Sequence, residues 1–448
     1  MKIIDCHVHH LADGDVEWAR ELGYYKVCFM DYRPEVVEER MRAHPDFVIG
    51  LGWVPMDLDT RVSLETLDRF HQIGCRGLKI CCTAARYDDL QFYPVYEKAQ
   101  EYGLPLFFHT GWLDQRVASH AYPIRKRLLA DWYHPLTLDR ITLDFPRLKL
   151  VAFHMGGTYQ AEAALLMWNH PNVYADSCMR ITPFEDVWNQ MGGEGRGLST
   201  LGKMVYGTDG MGTRQNHQER IVSFTRFLDQ CRAPAGLRER VWYKNALLIL
   251  GMDEELKKRM HIHRVTAGDM SLDRPPAGNP RVAEVSDFAG NGGEPPRSAT
   301  TCRIGYDEQA LHLVFECRDD APGSLAVSGN GPIDNMWQDD CVEVFLSPGR
   351  NDDYWHFVVN AAGRASIQRQ RGGEISEIPG AEHRVTATGW AVKLDVPFRS
   401  VGGAPKPGAV WGMNLCRSKH TEPPETVTWQ EVASTFHDPS SFGRLVFE

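Results

Sequence analysis

The sequence predicts an α/β fold, a (β/α)8 TIM barrel, which is followed by a C-terminal all-β sandwich. Two patterns indicate this division. Up to about residue 252, short apolar segments alternate with longer amphipathic ones, whereas beyond residue 280 apolar and polar residues alternate with a period of two. A chain of 448 residues also exceeds the size that one hydrophobic core usually serves, so two domains are expected.

Eight apolar segments are predicted as the barrel strands. Each is apolar nearly throughout, as expected for a parallel strand that is covered on both faces. They are Lys2–His9, Tyr25–Met30, Phe47–Pro55, Gly77–Cys82, Pro105–Gly111, Leu148–Gly157, Asn172–Cys178 and Lys203–Gly210. Amphipathic segments such as Pro34–Ala43 and Tyr93–Tyr102 are predicted as helices, and Leu237–Leu250 closes the series. Eight β-α units in about 250 residues agree with the usual size of a TIM barrel.

Between residues 253 and 280 the sequence is rich in Pro, Gly, Asp and Arg, which predicts a linker. Short alternating segments follow, separated by turn residues and without a helical period, as in a β-sandwich. They are Thr301–Tyr306, Leu311–Arg318, Asp340–Leu346, Tyr354–Asn360, Trp390–Val396, Val410–Arg417 and Leu445–Phe447. We therefore expect a barrel over residues 1–252, a linker over 253–280 and a sandwich over 281–448.

Charge and composition exclude several classes of partner. A formal net charge of −10 argues against a nucleic-acid partner, which normally requires a basic face. The sequence has neither a signal-peptide pattern nor a run of about 18 apolar residues, so no membrane span is expected. Eleven cysteines without CxxC pairing favour a reduced, cytoplasmic protein in which cysteines pack as small apolar residues. A homo-oligomer is compatible with this composition.

Metal-ligating residue types occur where four predicted strands end, which is the end of a TIM barrel that carries active sites. Strand one ends with His7 and His9, strand five with His109, strand six with His154 and strand eight with Asp209. Residues two apart in a strand point to the same side, so His7 and His9 both face the interior. A single histidine at a strand end is more often structural, but five such residues at one barrel end indicate a metal site.

The residue types also indicate the chemistry. Neutral imidazoles and a carboxylate suit Zn²⁺, and Mn²⁺ or Fe²⁺ are alternatives. An ion with an open coordination position lowers the pKa of water from 15.7 to ~7 and so creates a nucleophile at neutral pH. A further histidine beside the ion can then transfer protons.

The barrel segments resemble the amidohydrolase-related (amidohydrolase 2) family that includes aminocarboxymuconate-semialdehyde decarboxylase and the resorcylate decarboxylases. The matching segments are Ile4–His9, Gly77–Ile80, Phe108–Gly111, His154–Gly157, Gly207–Asp209 and Lys244–Ala246. The resemblance implies one divalent metal ion held by His7, His9, His109 and Asp209. It also implies that His154 activates water or moves protons during turnover.

Two cationic residues at strand ends are candidate catalytic residues. Lys79 ends strand four and is expected to contact the substrate or Asp209, although a carboxylated lysine bridges two metals in some barrels of this superfamily. Arg180 follows strand seven, where a guanidinium could bind a substrate carboxylate through two oxygens. The alternative for Arg180 is a solvent-exposed arginine on the loop.

The second domain resembles family-9 carbohydrate-binding modules and related sugar- or haem-binding sandwiches over about residues 280–448. The resemblance is carried by Asn335–Leu346, Phe357–Asn360 and Phe436–Leu445. It implies a carbohydrate ligand held against tryptophan rings, for which Trp337 and Trp429 are the candidates. The alternative is that these rings only pack. Asp339 and Asp340 are candidates for a structural Ca²⁺ site, although adjacent surface carboxylates are usually just solvated.

Three functions follow from these features. The first is a metal-dependent hydrolase, in which metal-activated water attacks the carbonyl of a small-molecule lactone, ester or amide, sugar-derived if the second domain binds sugar. The second is non-oxidative decarboxylation of an unsaturated or aromatic carboxylate on the same residues, favoured if Arg180 points inward. The third is a carbohydrate-binding protein with an inactive barrel. The intact set of metal-ligating residues disfavours the third, so we predict the hydrolase.

Overall fold

The computed structural model describes the chain except residues 58, 112–128, 179–183, 211, 274–278, 291–292, 330, 350–352, 371, 373–374, 379–380 and 433–435. It divides into two compact units, Met1–Glu255 and Leu256–Glu448. Within the described ranges, no helix is both long enough and apolar enough to cross a bilayer.

The described part of the first unit forms a parallel sheet of eight strands in sequence order. The strands are β1 (Ile3–Val8), β2 (Tyr24–Asp31), β3 (Val48–Val54), β4 (Gly77–Ile80), β5 (Leu106–His109), β6 (Leu150–Phe153), β7 (Val173–Asp176) and β8 (Met204–Val205). The backbone N–H of Cys6 donates to the carbonyl of Tyr206 (2.9 Å), so β1 also meets the chain that follows β8. This contact closes the barrel, and the predicted fold class is confirmed.

Helices separate the strands and cover the outside of the sheet. The α-helices span Asp13–Glu21, Pro34–Ala43, Thr60–Gln72, Tyr93–Tyr102, Asp139–Asp144, Gln160–Asn169, Phe184–Gln190, Gly193–Leu201, Arg214–Gln230, Ala235–Glu239 and Asn245–Ile249. The closing segment differs from the single helix predicted over Leu237–Leu250, because a π-helical stretch, Arg240–Lys244, interrupts it. Gly251 then ends the series with φ +64°, a backbone conformation that favours glycine.

The second unit consists of two sheets that pack face to face. Its strands are β9 (Arg259–Ile262), β10 (Ala283–Val285), β11 (Thr300–Tyr306), β12 (Ala310–Arg318), β13 (Cys341–Ser347), β14 (Trp355–Asn360), β15 (Ala365–Arg369), β16 (Ile375–Ile378), β17 (Glu382–Thr386), β18 (Gly389–Pro397), β19 (Val410–Lys419), β20 (Glu425–Thr428) and β21 (Gly443–Phe447). One sheet has the order β10-β11-β12-β18-β17. The other has the order β16-β15-β14-β13-β19-β21-β9, with β20 paired to β19. Buried residues of both sheets form one apolar core, as in a β-sandwich.

The segment expected to be a linker, residues 253–280, contains structure of its own. Strand β9 lies inside it and pairs in parallel with β21, the last strand of the chain. Side chains of β9 alternate between the two faces of the sheet. Met260 and Ile262 are therefore buried in the sandwich core, whereas their neighbours Arg259 and His261 are exposed. Residues 259–262 are therefore part of the second unit's sheet.

His312 of β12 lies between two carboxylates of the second unit. Its Nδ1 is 2.7 Å from Oδ1 of Asp395, and its Nε2 is 3.2 Å from Oδ2 of Asp307. Partial burial acts to lower the pKa of His312, but the two carboxylates outweigh it and raise the pKa above the usual 6.5. The charged pairs therefore contribute stability that is fully present below pH 6.5 and is lost as the pH rises through the raised value.

We expect His312→Gln to lower the Tm of the second unit's unfolding transition more at about pH 5.5 than at about pH 8.5. The difference should be about 1–3 °C, since partly exposed ion pairs contribute up to about 1 kcal/mol. Thermal unfolding at both pH values measures it, with the exposed His263→Gln as the control. An equal decrease in Tm at both pH values would contradict a raised pKa of His312 in the folded protein.

Candidate metal centre

Asp5 joins the two chain segments that carry the candidate ligands. Its buried carboxylate accepts hydrogen bonds from the backbone N–H of His7 (3.0 Å), the backbone N–H of Thr208 (3.1 Å) and the hydroxyl of Thr208 (2.6 Å). These contacts connect the end of β1 to the segment after β8. Asp209, the next residue, adopts φ 57°, in the left-handed region that is uncommon for residues other than glycine.

Three of the predicted ligands converge at the carboxyl ends of β1 and β8. Oδ1 of Asp209 lies 3.1 Å from Nε2 of His7 and 3.4 Å from Nε2 of His9. Ligand atoms of all three residues lie within 4.8 Å of one another. His7 is fully buried, and its ring stacks on Phe153 at a centroid distance of 3.7 Å. Two imidazole nitrogens and a carboxylate oxygen form a donor set that fits a divalent ion.

His109 and His154 form a second pair beside this group. Nε2 of His154 is 3.2 Å from Nδ1 of His109, and Nδ1 of His154 is 3.1 Å from the carbonyl oxygen of Cys178. That carbonyl can only accept, so Nδ1 of His154 carries the proton of this bond. The centroids of the His7 and His154 rings are 5.1 Å apart. The pair of His109 and His154 therefore lies at the same end of the barrel as His7, His9 and Asp209.

Asp176, the last residue of β7, orients both groups, and the sequence analysis missed it. Its buried carboxylate accepts hydrogen bonds from Nδ1 of His7 (2.8 Å) and from the backbone N–H of His154 (2.5 Å). Burial raises the pKa of Asp176, whereas the hydrogen bond from the backbone N–H of His154 and the charge of Lys79 act in the opposite direction and favour the carboxylate. A carboxylate on the far nitrogen of a metal-ligating histidine is the usual arrangement in metalloproteins. The sequence signal that could have identified Asp176 is its position near the end of predicted strand seven, where active-site residues of a barrel are expected.

Lys79 of β4 is also buried at this end of the barrel. Its Nζ lies 3.0 Å from Nε2 of His7 and 4.2 Å from the centroid of the Phe153 ring. Burial lowers the pKa of the Lys79 amine, whereas the negative charges of Asp209 and Asp176 favour its protonated form. The contact with the ring face favours an unmodified ammonium over a carboxylated lysine.

The protonation states suit metal ligation. Burial lowers the pKa values of His7 and His9, so their imidazoles are neutral and each has a lone pair for a ligand. Burial alone would raise the pKa of Asp209, but the hydrogen bond from His9 and the charge of Lys79 hold it well below its usual range. The centre therefore combines neutral imidazoles with an ionised carboxylate.

A separate cleft lies on the second unit. It has a volume of about 510 Å³ and is lined by Trp337, Phe436, His437 and other residues of β13, β14, β15, β19 and β20. Trp337 is 52% exposed and lines the cleft, so its side chain is accessible to a ligand there. In the same lining, Nε2 of His356 is 2.7 Å from Oε2 of Glu343.

Residues 28–252, just over half of the chain, match the family model described as Amidohydrolase. The chain belongs to this family. Residues 282–448 of this amidohydrolase match a second model, described as Carbohydrate family 9 binding domain-like. No curated protein is significantly similar to the chain.

Solved structures similar to this amidohydrolase fall into two groups. An uncharacterised TIM-barrel protein from Bordetella bronchiseptica is 15% identical, covering 56% of this chain and 99% of its own, with a TM-score of 0.42. The 2,6-dihydroxybenzoate decarboxylase from Rhizobium is 13% identical, covering 56% and 99%, with a TM-score of 0.41. A family 9 carbohydrate-binding module from Caldicellulosiruptor kristjanssonii, in complex with cellotriose, is 14% identical, covering 43% and 94%, with a TM-score of 0.30.

The prediction that Trp429 of this amidohydrolase contacts a sugar is wrong. Trp429 is 3% exposed and belongs to the sandwich core, where its ring packs against Gly443. A ring that stacks on a sugar needs an open face, and Trp429 has none. Of the two predicted tryptophans, only Trp337 lies in the cleft.

The structure also argues against the expected Ca²⁺ site at Asp339 and Asp340. Both residues are buried, and their carboxylates accept hydrogen bonds from protein donors. Asp340 accepts from the backbone N–H groups of Ala326 and His420, and Asp339 accepts from Ser328 and Asn360. These donors occupy the lone pairs that a calcium ion would need. The remaining predicted residue, Arg180, lies outside the described residues.

Proposed function

We propose that the barrel binds one divalent metal ion through His7, His9 and Asp209, with His109 as the fourth protein ligand. The observation that carries the proposal is the convergence of two imidazoles and a carboxylate, whose ligand atoms lie within 4.8 Å of one another. This donor set suits Zn²⁺, and Mn²⁺ or Fe²⁺ are alternatives. When bound, such an ion supplies Lewis-acid activation of water or of a carbonyl oxygen.

We further propose that the reaction is hydrolysis of a small-molecule lactone, ester or amide. In this proposal, His154 accepts a proton from the attacking water and returns it to the leaving group. The carbonyl of Cys178 holds its Nδ1, and the carboxylate of Asp176 holds its backbone N–H. The first contact limits rotation of the ring and the second fixes the backbone that carries it, so Nε2 keeps one direction during proton transfer.

Non-oxidative decarboxylation of an unsaturated or aromatic carboxylate is the second candidate. The observation that favours it is the buried amine of Lys79, 3.0 Å from Nε2 of His7. A cation at this depth would attract a substrate carboxylate, and the negative charges of Asp209 and Asp176 help to keep it protonated.

A substrate screen of the metal-replete protein separates the two activities. The panel contains lactones, esters and amides, including sugar-derived ones, together with aromatic and unsaturated carboxylates. Release of acid from a neutral lactone or ester supports hydrolysis, whereas release of CO₂ from a carboxylate supports decarboxylation. Binding of the ion without turnover of any compound would favour the third hypothesis, a carbohydrate-binding protein with an inactive barrel.

For the second unit, we propose a carbohydrate ligand in the cleft beside Trp337. The exposed indole offers a platform for the apolar C–H face of a pyranose ring. The described lining includes the carboxylates of Asp334 and Glu343 and no lysine or arginine, so a neutral saccharide is favoured over an acidic one. A sugar in this cleft would agree with a sugar-derived substrate for the barrel.

We expect Trp337→Ala to weaken carbohydrate binding about tenfold, because an aromatic stacking contact contributes up to about 1.5 kcal/mol beyond buried area. A glycan array with the full-length protein identifies the neutral saccharide, and calorimetry then gives both Kd values. Trp168→Ala, which removes a 46% exposed tryptophan of the first unit, is the matched control. Equal affinity of the Trp337 variant and the wild type would remove this cleft as the sugar site.

A further inference from the structure

Strand β7 brings a thiol to the metal centre. β7 ends at Asp176, and Ser177 and Cys178 follow it directly. Asp176 faces the barrel interior, where it contacts His7. The hydroxyl of Ser177 instead accepts a hydrogen bond from the backbone N–H of Gly207 (3.1 Å). The backbone N–H of Ser177 donates to the carbonyl of Val205 (2.9 Å), so the chain keeps its contact with β8 beyond the end of β7. If the alternation of side chains also continues, Cys178 lies on the same side as Asp176.

The contacts of Cys178 agree with that direction. Its Sγ, a ring nitrogen of His7 and a ring nitrogen of His154 all lie within 4.8 Å of one another. The side chain is 1% exposed, so bulk water is excluded from the thiol. The carbonyl of the same residue holds Nδ1 of His154 at 3.1 Å, which fixes the imidazole beside the sulfur.

Within the described part of the chain, two groups of three donors have this spacing, and His7 belongs to both. One group adds His9 and Asp209 and offers two nitrogens and an oxygen. The other group consists of His7, His154 and Cys178, so the sulfur of Cys178 lies beside the imidazole that the two groups share. Cys81 and Cys82, which follow β4 at the same end of the barrel, belong to neither group.

We propose that Cys178 is a thiolate ligand of the metal centre, an inference that rests on the metal site proposed above. Binding converts the thiol and a divalent ion into a sulfur–metal bond and one proton, which is released to solvent. Thiolate sulfur selects soft or borderline ions such as Zn²⁺, Co²⁺ and Cd²⁺, whereas imidazole and carboxylate alone also admit Mn²⁺. Cys178 therefore makes the centre selective for thiophilic ions.

Titration of the metal-free, full-length protein with Co²⁺ tests this role without a substrate. Visible absorption of the bound ion reports that Co²⁺ occupies the centre, and a near-ultraviolet charge-transfer band reports a sulfur ligand. We expect both signals in the wild type and in Cys231→Ser, which removes a buried cysteine outside both donor groups. In Cys178→Ser we expect the visible absorption to remain and the charge-transfer band to disappear.

The wild-type spectrum decides the question even if the variant does not fold. Visible absorption without a charge-transfer band would overturn the role of Cys178 and leave the proposed metal site intact. The absence of both signals would overturn the metal site itself, and the inference with it. Affinities give a second measurement: Cys178→Ser should bind Cd²⁺ roughly 10–100-fold more weakly, while its affinity for Mn²⁺ changes by less than about threefold. Equal losses for both ions would contradict thiolate ligation.

Discussion

Asp209→Asn is expected to remove the bound divalent ion and to lower turnover by at least about a thousandfold. The amide keeps the shape of the side chain but loses the negative charge that faces Nε2 of His7 and Nε2 of His9. Metal activation contributes several kcal/mol to a reaction barrier, and each 1.36 kcal/mol corresponds to about tenfold in rate. Elemental analysis should find about one ion per wild-type chain and almost none in Asp209→Asn. His7→Ala should lose the ion in the same way.

Two further variants make this result specific. Asp229→Asn neutralises an exposed carboxylate that pairs with Arg238, and it should keep both the ion and the activity. Asp176→Asn should keep the ion but bind it about 10–100-fold more weakly, because Asp176 orients His7 and belongs to neither donor group itself. A chelator competition assay measures these affinities. A full complement of metal in Asp209→Asn, or full activity of metal-free wild type, would refute the proposed centre.

His154→Asn is expected to retain the metal ion and to lower kcat by about 10²–10⁴-fold, the usual contribution of a general acid–base group. His154 lies against His109 and the carbonyl of Cys178, whereas the ligand group of His7, His9 and Asp209 does not include it. The variant therefore removes the proton carrier and leaves the other donors in place. KM should change little, because the lost interaction is made mainly in the transition state.

Steady-state kinetics and elemental analysis of the same preparation test this separation of roles. His71→Asn, at an exposed position of the first unit, is the control and should behave as the wild type. Unaltered kcat in His154→Asn would remove this residue from the mechanism. Loss of the ion together with activity would instead make His154 a ligand, and its proposed role as proton carrier would be wrong.

The strands of the barrel were predictable because their positions depend on a local property of the sequence. A strand covered on both faces must be apolar along its length, so each of the eight apolar segments marked one strand. The candidate ligands were predictable for a related reason. The carboxyl ends of parallel barrel strands meet at one face, so His7, His9 and Asp209 were expected near one another before their distances were known.

Several features of the site depended on contacts between distant segments. Asp176 and Cys178 belong to an apolar segment, and their proximity to His7 and His154 became visible only in the tertiary structure. Trp337 and Trp429 both lie in segments that resemble carbohydrate-binding modules, so the sequence did not distinguish them. In the folded second unit the ring of Trp429 is buried and that of Trp337 is exposed. β9 was missed because its partner residues in β21 lie 185 positions later in the sequence, as in the pair of Arg259 and Arg444.

By itself, the sequence determined the fold class and the strand ends that carry metal-ligating residues, since both follow from local periodicity and from the general topology of a parallel barrel. The tertiary structure decided which carboxylates are available to an ion. Asp209 faces two imidazoles, whereas Asp339 and Asp340 accept N–H and O–H groups from protein donors. The physical reason is that a buried carboxylate must be paired, and its partner is set by folding rather than by neighbours in the chain.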